Sequence, residues 1–421
     1  MRRTRKFELR ASNGERRLPG STVLPALLLL LLGACGEKVE VTINAPSSGW
    51  EVYGVETLSV TCHPVRNVYY LELLIDSVVV GADTYPGPVS SFEWNVAGLR
   101  EASVHRLQAR AVSGSREYLS SELTATVGYR SRLLLDGSGD SLWVYRPDGK
   151  RDTGFVPLAD GHPASPRFSV GCDSVVFVSH YKLYEAAVPT GQAQVLDSVE
   201  NGIYSCDASP VSHLVAFEGY PAATAHLFLK GGVNPKVQLT HEGDFVLIDS
   251  SQFTCTGNSS PVFSPDGTKL AYFRRSKCLV SGDPHENETR EDAFLMNSNG
   301  SNPVNLSAGV DDAYFTGFTW TFDGKWVLFR AGTGAVPDAV LAANMSGHAI
   351  AGLPLSAVAM ACSPEDSTLV FISTGPEQPL YSVGLVWTSD TLYVGGAGAP
   401  LGSDAHAQGA SHIDWVKYAG Q

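Results

Sequence analysis

The stretch Pro261–Phe273, PVFSPDGTKLAYF, decides the fold. Two short apolar runs flank Ser264-Pro265-Asp266-Gly267. Proline presets φ for a tight turn, aspartate bonds the backbone two residues on, and glycine accepts positive φ. The stretch therefore predicts a β-hairpin. Whether the hairpin is single or one unit of a ring depends on whether it recurs.

It recurs four times. FTWTFDGKWVLF (Phe318–Phe329) and MACSPEDSTLVF (Met360–Phe371) keep the layout. CDASPVSHLVAF (Cys206–Phe217) keeps Ser209-Pro210 and an apolar triplet, and PRFSVGCDSVVF (Pro166–Phe177) is the most degenerate copy. Aligned on the last aromatic, the copies place Phe177, Phe217, Tyr272, Phe329 and Phe371 at intervals of 40, 55, 57 and 42 residues. That is the length of a four-stranded propeller blade, with insertions. Outer strand pairs are predicted at 182–196, 226–240 and 292–307, each around a turn, and a further pair at 141–158. The lone strand Arg132–Leu135 before that pair and HIDWVKY (His412–Tyr418) at the far end together complete one blade. This predicts a six-bladed β-propeller over 129–421, closed by strands from both ends of that region. Closure of this kind removes open sheet edges.

The combination Ser264-Pro265-Asp266-Gly267, Leu270-Ala271-Tyr272 and a later Asn299-Gly300 turn resembles the PD40 repeat of TolB-like β-propellers. The resemblance covers about 290 residues, most clearly 261–307 and 318–329. It agrees with the six blades counted above. The region before the repeats departs from TolB, which carries an α/β domain there. Here residues 36–128 show short period-two runs, such as Leu58, Val60 and Cys62 alternating with Ser59 and Thr61. Seven such runs predict a β-sandwich. FEWNVAGLREASVHRLQARAVSG (Phe92–Gly114) resembles bacterial Ig-like domains, which implies an Ig-like β-sandwich of structural residues. The expected class is all-β.

The first 34 residues carry seven Arg/Lys and two Glu, and then VLPALLLLLL (Val23–Leu32) leads into Gly33-Ala34-Cys35. The apolar run is too short to span a bilayer and reads as an export signal. Leu32–Cys35 resembles the bacterial lipoprotein box, which implies residues 1–35 as a leader and lipidation at Cys35. A mature chain so anchored is tethered to the membrane by lipid alone. Gly36 in place of Asp implies outer-membrane delivery by resemblance to enterobacterial sorting. The formal net charge of the whole chain is −13, and it becomes more acidic once the basic leader is set aside. Such a surface repels phosphate backbones, which excludes nucleic acid as a partner.

The chain has seven cysteines. If the hairpin ladder around Asp266–Gly267 extends unbroken, Cys255 and Cys278 fall opposite one another, which predicts a disulfide. No Cys-x-x-Cys or His-x-x-x-His spacing occurs, so no zinc site is assigned. Acidic residues gather in three segments expected on one face of the ring: Asp244 and Asp249, Asp283 and Glu286, and Asp311 and Asp312. They read as a recognition face for a basic protein patch, as a Ca²⁺ site, or as solvated loops. No regular Asp-x-Asp-x-Asp spacing supports the Ca²⁺ version, and no metal or cofactor is assigned. The eleven histidines are scattered, Gly-x-Ser-x-Gly is absent, and no catalytic set is predicted. The Gly-rich tract 393–404 lacks a following helix signal and reads as an inter-blade loop. The expectation is a lipid-anchored envelope protein that is not an enzyme and whose propeller binds an envelope protein or glycan. The alternatives are a propeller-based lyase or glycosidase and a purely architectural subunit.

Overall fold

The computed structural model describes residues 38–417 except 46–47, 67, 137–139, 159–160, 189, 242–244, 249–250, 279–287, 309, 311–313, 333–338, 346–349, 366, 374–379, 388–391, 397 and 402–411. Cys35, Asp244, Asp249, Asp283, Glu286, Asp311 and Asp312 lie outside the described residues. Every regular element described is a β-strand, and no described helix is long and apolar enough to cross a membrane. The chain divides into two compact units. One comprises residues up to Trp50 with Val55–Trp94 and His105–Ala125; the other comprises Glu51–Gly54, Asn95–Val104 and Thr126 onward.

The first unit is built on two antiparallel sheets. One orders Glu40–Asn44, Val55–His63 and Val89–Asn95. The other is centred on Val104–Ser113 paired with Tyr70–Ile75. Alternation decides which side chains are buried. Leu58, Val60 and Cys62 are buried while Ser59 and Thr61 are not, and Leu107, Ala109 and Ala111 are fully buried.

The second unit is a β-propeller. Among the described residues its strands form five antiparallel sheets, of which the last, eight-stranded, spans two repeats; each follows chain order except that Ile413–Lys417 lies beside Ser131–Asp136. The innermost strands are Ile413–Lys417, Ala164–Phe168, Ile203–Ala208, Ser251–Phe263, Tyr314–Trp320 and the second half of Ile350–Cys362. Each of these touches the next, and the last touches the first, so they ring a channel. We number the repeats as sheets 1 to 6 in that order. In sheet 1, Ile413–Lys417 pairs with Ser131–Asp136, with Leu133 opposite Trp415 and Leu135 opposite Ile413. Sheets 5 and 6 share Ile350–Cys362. Its first half is the outer strand of sheet 5, with Ser356 opposite Ala339, and from Ala357 it pairs with Thr368–Ser373 of sheet 6. The Gly-rich tract is not all loop: Leu392–Val394 and Ala399–Pro400 pair with Leu380–Trp387 as short outer strands.

The turns form as their residues require. Gly267 N–H donates to Ser264 O at 2.8 Å with φ +69° at Gly267, and Asp266 Oδ1 accepts from Ser264 Oγ and Thr268 N at 2.6 and 3.0 Å. Thr321, Asp323, Gly324 and Lys325 repeat that geometry in sheet 5. The recurring aromatics occupy the second strand of their sheets and are all buried. Phe177, Phe217, Tyr272 and Phe371 each lie opposite an aromatic on the third strand: Tyr184, Phe228, Phe294 and Tyr381. Each buried ring contributes roughly 2–3 kcal/mol of transfer free energy, and a ring pair adds about 0.5–1.5 kcal/mol.

The predicted Cys255–Cys278 disulfide does not form; both are buried thiols. Near the turn the register is as expected, with Phe263 opposite Leu270 and Val262 opposite Ala271. Two irregularities, between Ser259 and Val262 and between Cys255 and Gly257, then shift it. A bulge sets two residues on one strand against one on its partner. After both, Cys255 faces Ser276 and Cys278 faces Phe253. The segment 243–259 is also not a plain link, because Phe245–Ile248 pairs back onto the start of Ser251–Phe263. On the neighbouring insertion, Glu291 and Asp292 belong to the strand Thr289–Asn297 rather than to a loop.

Candidate functional site

The six innermost strands run the same way around the channel, so equivalent residues form rings. One ring comprises Asp414, Arg167, Asp207, Val262, Thr319 and Ala361 from sheets 1 to 6. Sheets 1, 3 and 5 contribute an acceptor that bonds a backbone N–H of the next sheet. Asp414 Oδ2 accepts from Phe168 N at 2.9 Å, Asp207 Oδ2 from Phe263 N at 2.7 Å, and Thr319 Oγ1 from Cys362 N at 3.0 Å. These bonds tie sheet 1 to 2, 3 to 4 and 5 to 6. Arg167 sits between the two carboxylates and donates from Nε to Asp207 Oδ1 at 2.7 Å. Burial pushes the Asp207 carboxyl up to about 7 against the pull of Arg167 and of the Phe263 N–H, and burial likewise raises Asp414.

At the end of the channel where the innermost strands begin, a cavity of about 620 Å³ opens. Its walls include Arg167, Arg275, Arg330, Ser165, Thr316 and His412. A second cavity of about 270 Å³ lies at the opposite end, among the hairpin turns, and is lined by Phe168, Cys172, Phe263, Trp320, Phe322 and Trp415. We call the first the mouth; the second adds several aromatic side chains to the Arg167, Asp207 and Asp414 cluster. In the mouth, Arg330 donates to Ala357 O at 3.3 Å and lies over Gly317. A Cβ on Gly317 would come within 3.1 Å of Arg330 Nε, so a side chain there would crowd the guanidinium, at a position whose φ of +61° suits glycine. Arg275 faces Glu291 across the strand pair at 3.9 Å. Burial raises Glu291, and it raises Glu218, which accepts from Ser205 Oγ at 2.7 Å behind the mouth.

One further group meets here. Asp136 ends the strand Ser131–Asp136, and His412 precedes Ile413–Lys417; their pairing brings the two together. Asp136 Oδ1 accepts from His412 N at 2.7 Å, and Asp136 Oδ2 lies 3.1 Å from His412 Nδ1. The other ring nitrogen, Nε2, is 3.2 Å from Ser165 Oγ. Ser165 has φ +50° at a register irregularity of its strand. Ser260 (φ +51°) and Gly317 hold the equivalent irregular position in sheets 4 and 5, so the twist is a property of the repeat. The cysteines nearby are held as thiols: burial pushes Cys172 and Cys362 up to about 12 and Cys206 higher. They are therefore not nucleophiles at neutral pH.

Sequence reasoning placed the binding face on six acidic residues outside the described part and missed the mouth. Arg275 and Arg330 carry no motif. Asp136, Ser165 and His412 are spread over 276 residues and have no spacing signature.

No protein-family profile and no curated protein matches the chain. Solved structures do. TolB from Acinetobacter baumannii is similar at 11% identity and a TM-score of 0.46, over 72% of this chain and 79% of that one. A putative TolB from Agrobacterium tumefaciens is similar at 13% identity and 0.43, over 69% and 99%. An oligogalacturonate lyase in complex with manganese is similar at 12% identity and 0.41, over 68% and 80%. The propeller assignment itself rests on strand order, register and the ring of innermost strands.

Proposed function

We propose that this chain is a lipid-anchored cell-envelope binding protein. In this reading residues 1–35 are a leader ending at Cys35, and 36–128 an Ig-like spacer. Residues 129–421 form a TolB-like six-bladed propeller closed by strands from its two ends. The channel mouth recognises a carboxylate carried by an envelope protein or glycan. The observation that carries this is a contrast of charge. The chain is acidic overall, yet the described wall of the mouth brings Arg275 and Arg330 together with serine and threonine hydroxyls against one carboxylate, Glu291, while Arg167 is held by Asp207. Arginine presents a planar fork of donors suited to carboxylates.

The test is calorimetric titration of the full chain with an acidic peptide and with an acidic oligosaccharide, each beside a neutral counterpart. Binding of one acidic ligand, weakened tenfold or more by Arg275→Ala plus Arg330→Ala, is expected, and which of the two binds identifies the source. Equal binding of neutral ligands, or no effect of the double substitution, would overturn the reading. The anchor is tested separately: Cys35→Ala moves the protein from the membrane fraction to the soluble fraction.

A further inference from the structure

We propose that Ser165 is the nucleophile of an ester-hydrolysing site in the channel mouth, with His412 as its base and Asp136 as the positioning residue. The three side chains form one hydrogen-bonded chain: Ser165 Oγ to His412 Nε2 at 3.2 Å and His412 Nδ1 to Asp136 Oδ2 at 3.1 Å. That is nucleophile, base and orienting carboxylate, each within the reach that acyl transfer needs. With Nδ1–H donating to Asp136, Nε2 is left as the acceptor for the Ser165 hydroxyl.

Three further observations favour chemistry over a seam clamp. Ser165 and His412 both line the 620 Å³ cavity, so the pair borders open space large enough for a small ester. The equivalent irregular position in sheet 4 has a serine too, but there Ser260 N donates to Ser205 Oγ at 3.2 Å and no described histidine bonds the Ser260 side chain. The serine–histidine contact thus occurs at one of the equivalent positions, where Ser131–Asp136 pairs with Ile413–Lys417. Finally, Thr316 Oγ1 is buried in the same cavity wall with no hydrogen-bond partner among the described residues. Its hydroxyl is a free donor facing the cavity that Ser165 lines, and Arg275 and Arg330 add positive potential to that cavity.

The reaction balances with water alone. Ser165 Oγ bonds the ester carbonyl carbon and gives its proton to His412 Nε2. The carbon–alkoxide bond breaks and the alkoxide takes that proton and leaves as the alcohol. Water then attacks the acyl-serine, passes a proton to His412 Nε2, and the acid departs as Ser165 Oγ recovers the proton. The substrate class is a carboxylic ester small enough for the mouth. The proposal does not depend on carboxylate recognition, and its test uses neutral probes.

The full chain is treated with a fluorophosphonate and digested, and the adduct is located by mass spectrometry. Turnover of 4-nitrophenyl acetate is followed in parallel. Phosphonylation on the Ser165 peptide is expected. Ester turnover should fall about 10²–10⁴-fold in Ser165→Ala and His412→Gln. Asp136→Asn should lower kcat with little change in KM. Near-ultraviolet circular dichroism checks that each variant keeps its tertiary packing. Labelling of the folded wild-type chain needs no variant: absence of an adduct on Ser165 overturns the proposal. So does turnover in a folded Ser165→Ala chain equal to that of the wild type.

Discussion

Removing the guanidinium at the centre of the channel gives the sharpest test of the ring geometry. In Arg167→Met, Asp207 and Asp414 lose their shared cation while keeping their places between sheets. Asp207 is 5% exposed and already pushed up to about 7 by burial, and Asp414 is raised from the same cause. A carboxyl whose folded value lies above its unfolded value of 3.8 holds its proton better when folded. Stability from this source is therefore fully present below about pH 4 and is lost as pH rises through about 7. Without Arg167 both carboxyls move further up, so the loss extends to higher pH. At pH 8 wild-type Asp207 is largely ionised beside Arg167, whereas the variant must keep it protonated or bury its charge alone; that one-unit difference adds about 1–2 kcal/mol to the cost of the substitution. At pH 5 Asp207 holds its proton with or without Arg167, and the remaining cost is lost hydrogen bonding, about 1–2 kcal/mol. Urea unfolding at the two pH values, followed by tryptophan fluorescence, reads the difference. Adding Asp207→Asn and Asp414→Asn removes the orphaned charges and should restore most of the added loss at pH 8. A cost that is the same at both pH values, or below about 1 kcal/mol at pH 8, would refute the reasoning.

The turn chemistry predicts an asymmetry between glycines. Gly267→Ala forces a side chain into φ +69° with Val211 Cγ2 2.5 Å from the new Cβ, and should cost about 1–2 kcal/mol. Gly98→Ala, with nothing within 4 Å and no positive φ, should change stability by less than about 0.5 kcal/mol in the same unfolding assay. The shifted register predicts that Cys62, Cys172, Cys206, Cys255, Cys278 and Cys362 all alkylate after denaturation without reductant. A peptide linking Cys255 to Cys278 in that digest would show the register to be wrong.

The arrangement within each hairpin was legible because it is local. Pro265, Asp266 and Gly267 select a tight turn whatever surrounds them, and the apolar runs beside it must pair to bury Phe273 and Tyr272. Hence the repeated aromatics point to second strands, and the outer pairs at 182–196, 226–240 and 292–307 fall where strands are found. The alternation of Leu58, Val60 and Cys62 is local in the same sense. Register beyond the turn was not legible. The irregularities at Ser259–Val262 and Cys255–Gly257 have no signature in the turn residues, and together they slid Cys278 two places from Cys255.

The mouth was less legible still, because ring geometry creates it. Arg167, Asp207 and Asp414 are ordinary charges in sequence and become one buried cluster only when sheets 1, 2 and 3 stand side by side. Ser165, His412 and Asp136 meet because a strand at the start of the second unit pairs with one at its end. The sequence by itself determined an all-β chain of repeated hairpins, since turn chemistry and period-two burial act over a few residues. Only the tertiary structure decided which polar side chains converge, since that depends on contacts between strands as much as 276 residues apart.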